Sequence, residues 1–169
     1  MTTGSSLSSR RGLGGFAALI GGAAMIVSVF LPWIGGATGW DSVNQELTSD
    51  ITNVSTGDFF HNPTFADSGF SPFFTGLSIL IAGGLLVLIG LAMLASLRGG
   101  AFRLPGAGKF IIAVLAVLIA IVGVTNLASL YATGDADVWS PEYGLFVLTA
   151  GALIGFLGVL GGVTGRGRS

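Results

Sequence analysis

Four long apolar runs, separated by polar and charged segments, dominate the pattern of this chain. They cover approximately residues 13–34, 73–97, 109–131 and 143–165, and no charge lies between the end residues of any run. A bilayer core about 30 Å thick needs about 20 apolar residues in an α-helix, which rises about 1.5 Å per residue. The alternating segments of about 10 residues typical of a transmembrane β-barrel do not occur in the sequence. The pattern therefore predicts an all-α membrane protein in which four helices cross the bilayer.

The charged residues form two groups that alternate along the chain. All seven basic residues precede the first run, follow the fourth, or lie between the second and third: Arg10, Arg11, Arg98, Arg103, Lys109, Arg166 and Arg168. All eight acidic residues lie in the other two connections: Asp41, Glu46, Asp50, Asp58, Asp67, Asp135, Asp137 and Glu142. Because basic residues favour the cytoplasmic side of a membrane, we expect both termini to be cytoplasmic and both acidic connections to be outside.

The segments around the runs predict one transmembrane domain over residues 13–165. We expect a disordered cytoplasmic N-terminus at residues 1–12 and a short cytoplasmic tail at residues 166–169. Ser9-Arg10-Arg11 also resembles a twin-arginine export signal. The apolar run that follows it is longer than the usual signal core of about 7–15 residues, which favours a retained first span.

Serine and proline mark both helices that are expected to return from the outer side. Ser71-Pro72 precedes the second helix, and Ser140-Pro141-Glu142 precedes the fourth. Serine is a favoured helix cap, proline is tolerated at the first helical position, and an acid in the first turn complements the helix dipole. Pro32, beside Trp33, is expected to end the first helix near the outer interface, where water replaces the lost backbone bond.

Small residues recur on one face of each run, and in the first span the predicted stripe runs through Gly14, Ala18, Gly21, Met25 and Ser28. In the second and fourth spans they are glycines spaced by three, four or seven: Gly76, Gly83, Gly90, Gly144, Gly151, Gly155, Gly158 and Gly162. Helices in lipid associate where small residues let their backbones approach closely, and this spacing keeps them on one seam of a left-handed coil. We expect a compact, left-handed four-helix bundle with little space along its axis. In the alternative, Gly151-x-x-x-Gly155 and Gly158-x-x-x-Gly162 face another subunit.

The composition offers little for chemistry inside the membrane. Charged residues make up 9% of the chain and the mean hydropathy is +0.86, against roughly 25% charged residues in soluble proteins. No acidic, basic or histidine side chain lies between the end residues of a span, although proton relays and transporters usually place one there. Asn126 is the most notable polar residue at depth. A hydrogen bond between helices is favoured for it over binding of a quinone, a lipid headgroup or a cation.

The loops contain the remaining candidate ligands. His61 lies near Asp58 and Asp67, but their spacing in a loop gives no metal-site signature, and a solvated histidine is favoured. Asp135-Ala-Asp137 resembles the acidic pair with which some glycosyltransferases hold a metal-bound sugar nucleotide, but such enzymes need a large catalytic domain and this loop has only about a dozen residues. The single histidine lies outside the spans, which excludes haem held by histidines within the bilayer, and the absence of cysteine excludes thiolate ligands. We therefore expect no catalytic residue, cofactor or metal. The basic residues are explained by topology, so no nucleic-acid partner is expected.

The connection at residues 35–72 is longer than the roughly 2–8 residues that neighbouring helices need. It contains Trp40, Phe59, Phe60 and Phe65, and these apolar side chains argue against a fully solvated tether. A small hairpin or a lid over the end of the bundle would bury them. An aromatic surface surrounded by acids is more typical of a protein interface than of a catalytic pocket, so we expect these four residues to contact a partner.

A first span ending in Phe30-Leu31-Pro32-Trp33, a sizeable outer loop and three further Gly/Ala/Leu-rich spans resemble small four-span membrane proteins of actinobacterial type. The resemblance covers nearly the whole chain and implies a plasma-membrane location. The layout is also similar to that of claudins, but the paired loop cysteines of claudins are missing. Together these features favour a non-catalytic accessory or scaffold subunit of a larger plasma-membrane or envelope complex, with a membrane-protein partner. The alternative is a small transporter or channel, for example as a homo-oligomer.

Overall fold

The computed structural model describes residues 4–41, 74–98, 106–132 and 140–164. Within these ranges it contains four long helices and one hairpin: α1 Gly4–Ser28, β1 Pro32–Ile34, β2 Ala37–Thr38, α2 Gly76–Arg98, α3 Gly106–Ala132 and α4 Tyr143–Val163. Three helices, α2, α3 and α4, carry apolar stretches of 22, 26 and 21 residues, long enough to cross a membrane, whereas the apolar part of α1 is shorter. The structure agrees with the prediction of an all-α membrane protein.

The first helix differs from its predicted span, residues 13–34, at both ends. It begins at Gly4, within the segment predicted to be disordered, and it ends at Ser28. Pro32 has no N–H with which to continue the helix, so the chain tightens beforehand. The amides of residues 29–31 donate to carbonyls three residues earlier at 3.0–3.2 Å. Residues 32–34 then leave the helix as a strand.

Helix α1 lies between α2 and α4 and runs antiparallel to both, as its glycine contacts show. Helix α3 packs mainly against α4 and touches α2 less extensively. We call the end at which α1 ends, and α2 and α4 begin, the hairpin end. The fully buried core contains aliphatic side chains from all four helices: Met25, Ile79, Leu86, Leu130, Leu145, Leu148 and Val159.

The two strands form an antiparallel hairpin with the two-residue turn Gly35-Gly36. Both glycines have positive φ, 57° and 81°, as expected for the tight turn that matches strand twist. A residue with a Cβ would be strained at either position. This hairpin begins the predicted outer loop, of which residues 42–72 lie outside the described ranges.

Two helix starts involve other residues than those predicted. The hydroxyl of Thr75 accepts a hydrogen bond from the Ser78 amide at 3.5 Å, so Thr75 caps α2. The residue that caps α4 is Glu142, not Ser140, and its side chain makes no bond to its own helix. Ser71-Pro72 lies outside the described residues.

Candidate functional site

Two glycine doublets, Gly14-Gly15 and Gly21-Gly22, divide the surface of α1 between its two neighbours. The first glycine of each doublet faces α4. A methyl group added to Gly14 would lie 2.5 Å from the carbonyl oxygen of Gly158. The same change at Gly21 would place the methyl 2.5 Å from the amide nitrogen of Gly155. The α1–α4 contact is therefore one of backbone against backbone.

The second glycine of each doublet faces α2 in the same way. A methyl on Gly22 would lie 2.7 Å from the Gly83 carbonyl oxygen, and one on Gly15 would lie 3.1 Å from that of Gly90. The contact is reciprocal, because a methyl on Gly90 would lie 2.8 Å from the Gly15 carbonyl oxygen. The doublets repeat after seven residues, which returns them to the same faces of the helix after two turns.

All eight glycines predicted to line a seam are buried, and they serve two kinds of contact. Five of them, Gly83, Gly90, Gly144, Gly151 and Gly158, contact α1 or the residues just after it. Gly155 and Gly162 also leave notches that the side chains of Leu86 and Met93 enter from α2. Gly76 is buried at the start of α2. The two predicted Gly-x-x-x-Gly pairs thus face helices of the same chain.

Asn126 joins α3 to the residue that precedes the start of α2. Its side chain is fully buried. Its Oδ1 accepts a hydrogen bond from the amide of Phe74 at 2.7 Å, and its Nδ2 donates to the carbonyl of the same residue at 2.9 Å. The amide therefore pairs with the backbone as a neighbouring strand would. The contact fixes the point at which the chain returns to α2.

Trp33 replaces the helical hydrogen bond that Pro32 cannot make. In an uninterrupted helix, the Ser28 carbonyl would accept from the amide of residue 32. Instead, the indole Nε1 of Trp33 donates to the Ser28 carbonyl at 2.7 Å. The Trp33 ring is 4% exposed and lies against Gly39 and Gly144. The Ser28 carbonyl, which also accepts from the Leu31 amide at 3.1 Å, thus has two donors where α1 ends.

Glu142 fastens the hairpin to the start of α4. Its amide donates to the Trp33 carbonyl at 2.8 Å, and its carboxylate accepts from the Gly36 amide at 2.8 Å. Ile34 and Pro141 form an isolated antiparallel bridge beside these bonds. The acid that was expected to complement the α4 dipole therefore bonds across the hairpin end instead.

Thr38 and Asp41 form a capping box at the end of the hairpin. The Asp41 carboxylate accepts from the amide and the hydroxyl of Thr38 at 2.7 and 2.8 Å, and the Asp41 amide donates to the Thr38 hydroxyl at 3.2 Å. The bond from the Thr38 amide, and to a lesser extent the bond from the Thr38 hydroxyl, holds the pKa of the exposed Asp41 carboxyl below its ordinary value. The box orders Trp40, which lies within it.

An open groove of about 540 Å³ lies along the outward face of α3, with Phe156 of α4 forming part of its wall. The remaining lining residues come from α3: Val117, Ala120, Ile121, Val124, Thr125, Ala128 and Ser129. Only 22% of the apolar stretch of α3 is buried, against 44% for α2 and 39% for α4. Helix α3 therefore has the least covered surface of these three.

In the described part of the chain, no three acidic or histidine side chains lie close enough to hold a metal ion. Most of the residues that carried the loop hypotheses lie outside the described ranges: Asp58, Phe59, Phe60, His61, Phe65, Asp67, Asp135 and Asp137. The glycine doublets of α1 are the contact that sequence reasoning assigned incompletely, since Gly15 and Gly22 were not on the predicted stripe. The repeat of Gly-Gly after seven residues is the signal that identifies them. No family model, curated protein or solved structure matches this chain.

Proposed function

We propose that the protein is a non-catalytic accessory or scaffold subunit of a larger plasma-membrane or envelope complex. In this proposal it crosses the membrane four times as a left-handed bundle, with both termini cytoplasmic and the hairpin end outside. The observation that carries the proposal is that some helix faces are covered by other helices of the chain and one is not. The glycine faces are occupied within the chain, whereas α3 leaves its outward groove open.

The position of α1 supports a fourth crossing. Helix α1 and the strand after it run antiparallel to α4, from Gly14 beside Gly158 to Trp33 beside Gly144. A bilayer that is crossed by α4 therefore also encloses α1. The charges support the orientation, because Asp41 and Glu142 lie at the hairpin end, whereas Lys109 lies at the start of α3, at the opposite end.

The polar side chains at depth support a structural role. The hydroxyl of Ser28 donates to the Met25 carbonyl at 2.6 Å, and the hydroxyl of Thr149 donates to the Gly123 carbonyl at 3.2 Å. The side-chain amide of Asn126 both donates to and accepts from the backbone of Phe74. Thr149 and Asn126 thus link separate parts of the chain, whereas Ser28 bonds within its own helix, and all three direct hydrogen bonds at the chain itself.

The groove on α3 fits a transmembrane helix of a partner. Apolar surface alone gives little drive for association in lipid, where close approach and polar contacts matter more. The groove offers close approach, since the small residues Ala120 and Ala128 line it two turns apart. Outside the membrane, the loop aromatics Phe59, Phe60 and Phe65 are proposed to contact the same partner.

The test is purification of tagged protein from its native membrane in mild detergent, with two matched variants. Ala128→Phe fills the groove, and Ala95→Phe adds the same bulk at an exposed position of α2. We expect a stoichiometric membrane-protein partner with the parent and with Ala95→Phe, and its loss with Ala128→Phe. Free monomer throughout would refute the accessory role. Retention of the partner by both variants would refute the groove as its site, and a pure homo-oligomer would favour transport.

A further inference from the structure

The exposed apolar side chains of α1 form a stripe that continues beyond the end of the helix. Its members follow one another at steps of three, four or seven residues: Leu13, Phe16, Ile20, Val27 and Phe30. This spacing keeps them on one face of a helix. Phe30 lies after Ser28, in the tightened turn, and is 53% exposed. The stripe that faces away from α2 and α4 therefore reaches the hairpin end.

Trp40 extends this stripe although it lies ten residues further along the chain. Its ring centroid is 5.3 Å from that of Phe30, with the planes tilted by 31°, and 40% of the residue is exposed. The amide of Trp40 donates to the Val29 carbonyl at 2.8 Å, and the Thr38–Asp41 box encloses it. An aromatic pair with this much exposed surface is thus held in place by backbone bonds and not by burial.

The length of α1 places this pair at a defined depth. The apolar part of α1, Gly12–Ser28, has 17 residues, which span about 25 Å, less than the hydrocarbon core of about 30 Å. The following turn and the Phe30–Trp40 pair supply the missing apolar length. Their level is then the boundary between acyl chains and headgroups, where indole rings with one apolar and one polar side are favoured.

We infer that Phe30 and Trp40 form an interfacial anchor that binds the boundary between acyl chains and headgroups of the leaflet at the hairpin end. The ligand is the lipid surface itself. Trp40, which the sequence assigned to a protein partner, contacts lipid instead. In the described residues of the hairpin end the charged side chains are acidic, so the anchor works by apolar and dipolar contact and does not need anionic lipid. The inference stands independently of the accessory role.

Tryptophan quenching by brominated lipid tests the anchor, with Trp33 as an internal control. Two variants are compared: Trp139→Phe, and Trp139→Phe combined with Trp40→Phe. The difference between their fluorescence is the emission of Trp40. They are reconstituted alone in phosphatidylcholine vesicles with bromine either near the glycerol end or near the end of the acyl chains. Trp33 stays in both proteins because its indole hydrogen bond supports the fold.

We expect the Trp40 emission to be quenched strongly by the shallow bromines and less by the deep ones, and Trp33, 4% exposed, to be quenched weakly by either. Adding anionic lipid should leave the pattern unchanged. A Trp40 emission that escapes both bromines would refute the anchor, whether the ring proves solvated or covered by protein. Stronger quenching by the deep bromines would also refute it, because the ring would then lie inside the core.

Discussion

The substitution Gly21→Ala tests whether backbone contact between α1 and α4 holds the fold together. Its added methyl would lie 2.5 Å from the Gly155 nitrogen and 2.7 Å from the Gly155 Cα, where ordinary contact is 3.4–4 Å. Both obstructing atoms belong to a helix backbone and cannot rotate away. Gly84→Ala is the matched control, because nothing lies within 4 Å of a methyl at that position of α2.

The two variants differ mainly in the cost of overpacking. Replacing glycine by alanine within a helix gains about 0.5–1 kcal/mol in either case, so this term cancels in the comparison. Extra atoms in a packed core cost about 1–3 kcal/mol. A shift of about 1 Å between helices also forfeits a quarter to a half of each dispersion contact along the seam. Gly21→Ala should therefore be less stable than Gly84→Ala by about 3 kcal/mol, the upper end of the overpacking range.

The assay is equilibrium unfolding by sodium dodecyl sulfate in mixed micelles, followed by the loss of helical circular dichroism. We expect Gly84→Ala to unfold at or above the midpoint of the parent protein and Gly21→Ala well below it. Equal midpoints for the two variants would refute the reasoning, because they would mean that α1 and α4 separate at no cost.

Three further predictions concern the hairpin end. Trp33→Phe removes the indole N–H from the Ser28 carbonyl, which keeps its bond from the Leu31 amide; we expect a loss of about 0.5–1.5 kcal/mol in the same unfolding assay, the net value of one hydrogen bond, and an unchanged midpoint would contradict this. Asn126→Leu leaves the amide and carbonyl of Phe74 without their partner and should cost about 1–3 kcal/mol or more. Thr125→Val is its control and should change little, because that hydroxyl bonds only within its own helix. Because its hydrogen bonds lower the folded pKa of Asp41, their contribution is present above the unfolded pKa and is lost as the pH falls through the folded pKa. Trp40 emission should therefore stay constant from neutral to mildly acidic pH and change only in stronger acid, whereas Asp41→Ala should alter it at neutral pH.

Three of the four helices could be predicted closely from the sequence. The expected spans 73–97, 109–131 and 143–165 correspond to α2, α3 and α4 within three residues at each end. Long uninterrupted apolar runs determine these helices, because a backbone in lipid must satisfy its hydrogen bonds internally. The predicted span at 13–34 ends too late, because proline acts on the carbonyl four residues before it and the helix therefore stops at Ser28.

The contacts between helices could be predicted only in part. The spacing of glycine and alanine identifies which face of a helix carries small residues, but not which neighbouring helix packs against that face. Gly14 and Gly15 are adjacent in sequence and contact different helices. The partner of Asn126 is a backbone amide 52 residues away, which has no side-chain signature. Glu142 likewise bonds to Gly36, 106 residues earlier, so its role depends on a hairpin that the sequence placed only loosely.

The shorter apolar part of α1 belongs to a helix that lies between two others. A helix that faces lipid on most sides needs apolar side chains on those sides. A helix enclosed by neighbouring helices is instead surrounded by their backbones and side chains. Helix α1 meets α2 through Gly15 and Gly22 and α4 through Gly14 and Gly21, and these positions add little apolar surface of their own. Among the side chains of residues 12–28, the large apolar ones that are exposed lie on the stripe that continues to Phe30. Length alone therefore undervalues the helix that makes the most extensive contacts, and the glycine doublets are what allow it to occupy that position.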